Sequence, residues 1–275
     1  MEIIRTPKTF VKSILIFFTA FLIISCGSVP FTGRRQLQLV SNDEVIALSL
    51  QQYQEFMRTA PVERGTADAQ MVNRVGNRIA KAVETFYKSN GYESELDNYA
   101  WEFNLVADKS VNAFAMPGGK VVVYSGLLPV TQTEEALAVV IGHEIAHVIA
   151  RHSNERLSQQ VALQYGVMMP YARKQELESD EIGVIIMAIA GYDPRSAIPF
   201  WTRMAQASGG ASVPEVLSTH PTDSRRIERL TAIMPTALQY YKGSGFQNQT
   251  TEPIKTKTPV PVETKKAITS EEWSF

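Results

Sequence analysis

Residues 136–150, ALAVVIGHEIAHVIA, carry one charged side chain, Glu144, and two histidines, His143 and His147, in an otherwise apolar run. The length and the Ala, Val and Ile content suit a helix buried on all sides. On such a helix His143 and His147, four apart, project from one face a turn apart. Two imidazoles at that spacing can hold one tetrahedral zinc, and Glu144, one residue round, can reach a water in the open fourth position. Zinc lowers the pKa of that water to about 7, and the carboxylate can take its proton and pass it to a leaving amine. The opposing reading is two core histidines and a surface-directed glutamate. It has to explain a carboxylate inside an apolar helix, which is costly unless something pairs with it.

A catalytic zinc of this kind takes a third protein ligand. The acidic stretch Gln175-Glu176-Leu177-Glu178-Ser179-Asp180-Glu181 supplies candidates at the head of a helix rich in Ile, Val and Met. Glu176 and Asp180 share a face, whereas Glu178 points about 200° away from Glu176. Taken alone, the same acidic turn is also ordinary helix electrostatics.

Outward from this centre, the chain of 275 residues is 44% hydrophobic and 20% charged, enough for one domain with a real core plus tails. A formal net charge of -1 gives no reason to expect nucleic acid as a partner. Arg5, Lys8 and Lys12 precede the apolar run 13–24, which is short for a membrane span and fits a signal-peptide core. An uncleaved anchor is the alternative. The run leads to Ser25-Cys26-Gly27, and Cys26 is the only cysteine. A small residue directly before a lone cysteine resembles a bacterial lipoprotein signal, with cleavage before Cys26 and a lipid on it. With Gly27 rather than aspartate next, the sorting pattern implies an outer-membrane lipoprotein facing the periplasm. The expected organisation is signal peptide 1–25, lipidated extended arm 26–40, catalytic domain 41–240 and disordered tail 241–275.

Within the domain, Ser41-Asn42-Asp43-Glu44 is a capping box that starts a helix to about residue 59. After a break at 61–65, a long amphipathic helix spans about 68–88. Residues 99–106, 111–116 and 120–125 read as three strands. Thr131-Gln132-Thr133-Glu134 reads as a second capping box at the head of the motif helix. Helices are then expected at about 133–152, 154–168, 174–190, 194–207 and 222–233. The fold class is mainly α (α+β), with a small sheet of about three strands before the His-Glu-x-x-His helix. His152, about 180° round a continuous helix from His143, reads as structural.

HEIAH followed by ELESD resembles the HtpX-like and CAAX-prenyl-protease-like family of zinc metallopeptidases, a helical zincin-type fold. The resemblance runs over about residues 30–233. Pro30-x-Thr32-Gly33-Arg34-Arg35-Gln36-Leu37 looks like the opening of its periplasmic lipoprotein members, the LoiP and BepA type. It implies one catalytic zinc held by His143, His147 and Glu176, with Asp180 orienting a ligating histidine. Ser179 stands where the family usually has alanine. Asn112, Ala113, Phe114 and Ala115 look like the strand beside the substrate cleft, which the residues alone read equally as a core strand. Leu217-Ser218-Thr219-His220-Pro221 with Arg226 looks like a late active-site loop. His220 is then either an oxyanion donor or an occupant of the fourth zinc position that keeps the enzyme latent. Arg226 either holds that loop, stabilises developing charge or is an exposed helix-start arginine. Unlike the BepA type, no helical-repeat region follows, so no chaperone-like role is carried over.

The expected function is a zinc endopeptidase acting on unfolded or misassembled cell-envelope proteins from a lipid anchor, with its oligomeric state left open. The rival is a zinc-stabilised lipoprotein that binds such proteins without cutting them. A membrane-embedded prenyl-type protease is disfavoured, because no second long apolar run outside the motif helix could span.

Overall fold

A computed structural model describes residues 26–164, 172–207, 220 and 224–241. The signal segment 1–25, most of the late loop 217–221 and all of the expected tail beyond Tyr241 lie outside the described residues.

Eight helices and six strands are described: β1 (Cys26–Ser28), β2 (Arg35–Leu37), α1 (Asn42–Thr59), β3 (Val62–Glu63), α2 (Ala67–Ser89), β4 (Glu102–Val106), β5 (Ala113–Met116), β6 (Lys120–Tyr124), α3 (Leu128–Thr131), α4 (Glu134–Ile149), α5 (His152–Gln164), α6 (Ala172–Ile189), α7 (Ala197–Ala207) and α8 (Ser224–Tyr240). The molecule is mainly helical with small sheets, as the sequence implies.

The local rules hold where polar caps are clear. Ser41 Oγ accepts from the Glu44 amide while Glu44 Oε2 accepts from the Ser41 amide, the reciprocal capping box of α1. At the motif helix the expected box is displaced by two residues. Thr131 closes the short α3, Gln132 turns at φ 65°, and Thr133 is the cap, its Oγ1 accepting from the Ala136 amide. Glu134 is drawn away to Arg74.

The main sheet has four strands in the order β3-β4-β6-β5, not three. The extra strand, β3, pairs antiparallel with β4 and lies in the stretch read as a break; two residues are too few for a periodic signal. Alternate residues face opposite sides. Phe103, Leu105, Val121 and Val123 join the core with α2 and α4, while Val106 and Val122 meet Tyr53, Phe56 and Met57 of α1. The region read as an extended arm folds into a hairpin, β1 pairing with β2 so that Cys26 faces Leu37. Phe31 at its turn stacks on Phe86 of α2 at 4.1 Å between ring centroids.

Helix α4 is the centre of the molecule: every residue from Ala136 to Ile149 is buried. It packs chiefly on α6, also apolar through Ile182–Ala190. Helix α8 runs on past the expected end at 233, with Pro235 inside it. Among the described residues no helix is long and apolar enough to cross a membrane.

Candidate metal centre

Two glycines bring the two site-bearing helices together. A Cβ on Gly142 of α4 would lie 3.0 Å from the Gly183 carbonyl oxygen, and one on Gly183 of α6 would lie 2.9 Å from the His143 amide nitrogen. The backbones therefore touch one residue before His143 and three after Asp180. This close approach lets short side chains on α6 reach the histidines of α4.

Four buried groups converge there: His143, His147, Glu176 and His220, each offering one atom, all within 4.8 Å of one another. His143 Nε2 lies 3.1 Å from His147 Nε2 and 3.2 Å from His220 Nδ1. Glu176 Oε2 is 3.3 Å from His143 Nε2 and 2.8 Å from His220 Nδ1, and its Oε1 is 3.5 Å from His147 Nε2. Ligands about 2.0–2.1 Å from a tetrahedral zinc lie about 3.4 Å apart, so this spacing fits one such ion. The donor set fits too. Four ring nitrogens or carboxylate oxygens whose lone pairs face one another out of water need protons or a cation between them.

The electrostatics carry the same message. Burial disfavours a charge on His143, but hydrogen bonds to Asp180 and Glu176 outweigh it and raise its pKa to about 9. Burial lowers His147 well below the ordinary imidazole value. Burial pushes Glu176 up, yet hydrogen bonds from His143, His147 and His220 hold it far below the usual carboxylate range. Without a cation, the cluster thus keeps protons among its own members.

Glu144 lies beside this cluster. The Ala115 amide of β5 donates to its Oε2 at 3.2 Å. Its Oε1 is buried without a hydrogen bond, the nearest imidazole nitrogen being His220 Nε2 at 3.4 Å. β5 is one of the two edge strands of the main sheet and packs on α4, with Asn112 just before it and Ala113, Phe114 and Ala115 within it. The Asn112 carbonyl accepts from the Tyr124 amide, Ala113 is in the core, Phe114 packs on Phe56, and Ala115 is half-buried facing α4.

Asp180 and Arg226 sit behind His143. Asp180 Oδ1 is 3.0 Å from His143 Nδ1. Arg226 donates to both Asp180 oxygens at 2.7 Å and to the His220 carbonyl at 3.2 Å, and its guanidinium lies 3.6 Å over the Trp201 ring. At 2% exposure, Arg226 is not a surface arginine at a helix start. Burial pushes Asp180 up, but Arg226 and His143 hold its pKa down.

Two participants were not apparent in the sequence reading. Trp201 of α7 meets His143 edge-on at 5.4 Å, a partner that only the folding of α7 onto α4 supplies. On one continuous helix His152 would point away from His143, as the sequence implies. The helix ends at Ile149 and Arg151 takes φ 55°, so His152 opens α5 and turns back toward the centre. Its Nδ1 lies 2.9 Å from His147 Nδ1. Glu178, on the opposite face of α6 from Glu176, is the partner of His152 Nε2 at 2.9 Å.

A sequence model of peptidase family M48 matches residues 66–167 and 159–234. The mitochondrial metalloendopeptidase OMA1 of Saccharomyces cerevisiae is 32% identical over 244 residues, covering 78% of this chain and 71% of that protein. The human mitochondrial metalloendopeptidase OMA1 is 26% identical over 81% of the chain and 48% of that protein. The β-barrel assembly-enhancing protease of Yersinia pestis is 27% identical over 72% of the chain and 46% of that protein. The chain thus spans about half the length of the latter two. These similarities correct one expectation: relatives from yeasts, a plant and human are mitochondrial enzymes, so the outer-membrane, periplasm-facing location inferred around Cys26 is overturned.

Proposed function

The chain belongs to peptidase family M48 and is a zinc metalloendopeptidase of that family, and on that premise we propose that it cleaves unfolded or misassembled membrane-associated proteins. The observation that carries the site assignment is the convergence of His143, His147, Glu176 and His220 beside a buried Glu144. His143, His147 and Glu176 are the protein ligands in this reading, and Asp180, fixed by Arg226, orients His143. A zinc held by these residues would polarise the substrate carbonyl and lower the pKa of a bound water. Glu144 does the proton work. Its Oε2 is held by the Ala115 amide, leaving Oε1 to take the proton of the attacking water and deliver it to the leaving nitrogen.

The substrate side rests on β5. An edge strand running along Glu144 can take an extended peptide by backbone pairing, which tolerates many sequences and requires an unfolded segment. The assembly-enhancing role in the name of the Yersinia relative supports substrates that have failed to assemble. Within the family, the HtpX-like, LoiP and BepA type remains the subgroup proposed, supported by the Arg34-bearing opening segment that packs on the domain. The lipid proposed on Cys26 would join the body at the first residue of β1, holding the domain close to a membrane surface. His220, with Nδ1 inside the ligand cluster, is proposed to occupy the fourth position in a latent state.

The test is casein cleavage by the full chain, with and without a chelator, beside Glu144→Gln. Chelator-sensitive cleavage that vanishes in the variant, with zinc retained, is the expected result. Turnover that survives in Glu144→Gln removes the mechanism. One bound zinc with no cleavage of any unfolded substrate means either latency or the non-proteolytic binding reading, and His220→Ala separates them: cleavage gained in that variant is latency, none returns the binding reading.

A further inference from the structure

The two cluster histidines carried by α4 are backed differently. His143 meets a carboxylate directly, Asp180, itself clasped by Arg226. His147 meets another imidazole. Its Nδ1 lies 2.9 Å from Nδ1 of His152, whose Nε2 lies 2.9 Å from Glu178 Oε2. Glu178 Oε2 accepts from Arg34 Nε at 2.7 Å, and its Oε1 accepts from the Thr32 hydroxyl. Arg34 also binds both oxygens of Glu155 at 2.8 Å, with Gln175 donating to one of them. Thr32 and Arg34 belong to the segment joining β1 and β2, more than a hundred residues before the helices they touch.

Proton positions in this row follow from what each group can do. Arg34 only donates, so Glu178 receives from it as a carboxylate. Glu178 can then only accept from His152, which places a proton on Nε2 and, with the ring neutral, leaves Nδ1 as a lone pair. That lone pair can accept from His147 Nδ1–H at 2.9 Å, with the Ser179 hydroxyl oxygen 3.3 Å from the same nitrogen. His147 is left with its lone pair on Nε2, the atom facing His143 and Glu176. With both rings neutral, each partner admits one arrangement given the one behind it, and the sequence of constraints starts in the N-terminal hairpin.

We propose that His152 and Glu178, fixed by Arg34, are positioning residues that set the tautomer and ring plane of His147, so that docking of the N-terminal hairpin is part of building the metal site. The inference rests on His147 being a metal ligand, as proposed above. It gives a task to Thr32, Arg34 and His152, none of which the hydrolytic mechanism uses. Partners behind a ligating histidine typically matter about 10–100-fold in metal affinity.

The test measures zinc affinity by competition with a chelator and the visible absorption of the cobalt-substituted full chain. His152→Phe keeps the ring and removes both nitrogens; His152→Gln restores an acceptor; Glu178→Gln removes the charge at constant shape. His152→Phe is expected to weaken zinc about 10–100-fold and shift the cobalt bands, with part of the loss recovered in His152→Gln. Glu178→Gln is expected to weaken zinc in the same direction, and it decides the matter if His152→Phe does not fold. A purely structural role would lower the melting temperature of the metal-free chain and leave the cobalt bands in place, which overturns the proposal. Unchanged affinity and spectrum in folded variants also overturns it. A wild-type chain that binds no zinc at all fells the metal reading itself, a result distinct from either.

Discussion

Gly142 and Gly183 face each other across the α4–α6 crossing with no room for a methyl group on either: the atoms a new Cβ would meet are backbone, 2.9–3.0 Å away. Because the contact lies between His143 and the Glu176–Asp180 turn, its width sets the span of the metal cluster. Gly183→Ala gains about 1 kcal/mol of helix propensity. Overpacking costs about 1–3 kcal/mol, and rigid backbone cannot swing aside as a side chain can, so the overpacking prevails. The variant is expected to lose on the order of 1 kcal/mol in urea unfolding and to bind zinc more weakly. Equal stability with undiminished zinc affinity would show that the helices separate without cost to the site.

His220 reaches into the ligand cluster from a separate segment, held by Arg226 through its backbone carbonyl. A ring in the fourth position has to leave before a peptide carbonyl can enter. His220→Ala is therefore expected to raise basal casein turnover, roughly tenfold if the closed position is favoured by about 1.4 kcal/mol. A fall in kcat instead would assign the ring to oxyanion stabilisation. No change would leave His220 with neither role.

Arg226 makes a bidentate pair with Asp180 and lies over Trp201, all of it buried. Removing one partner of such a pair strands the other charge, at about 3–5 kcal/mol. Arg226→Ala is expected to show that loss in urea unfolding of the chelated protein. Arg226→Lys recovers only part of it, since an ammonium cannot form the two-pronged contact or the flat stack. Full recovery by lysine would reduce the role of Arg226 to charge alone.

What the sequence revealed depended on the range of the interaction. The Ser41–Glu44 box and the 68–88 helix are local, and both were legible to within a residue or two. His143, Glu144 and His147 were legible because one helical turn sets their geometry. Glu176 and Asp180 were legible as residues sharing a face, although nothing local says that α6 crosses α4 at Gly183. His152 was misplaced because one residue, Arg151, takes a left-handed conformation that composition does not announce. The partnership of Arg34 with Glu155 and Glu178 spans more than a hundred residues, beyond any periodicity. Two-residue β3 was too short to see.

Chelation supplies a further test, with a sign that pH can check. Zinc at 100 times its Kd adds about 2.7 kcal/mol to stability if it binds only the folded chain. For a domain of this size that is about 5–10 °C in Tm. In the chelated chain His143 is held protonated up to about 9, above its ordinary 6.5. A raised pKa contributes stability that is full below 6.5 and is lost as pH rises through 9. His147 is lowered, so its contribution is already complete above its ordinary value and stays constant from about pH 7.5 upward. Between about pH 7.5 and 9 the metal-free chain should therefore lose stability, while zinc meets less competition from protons and binds more tightly. The gap in Tm between zinc-loaded and chelated protein is expected to widen with pH across that window. Paired thermal melts at fixed ionic strength measure it, and a gap that narrows would mean that His143 is not where zinc and proton compete.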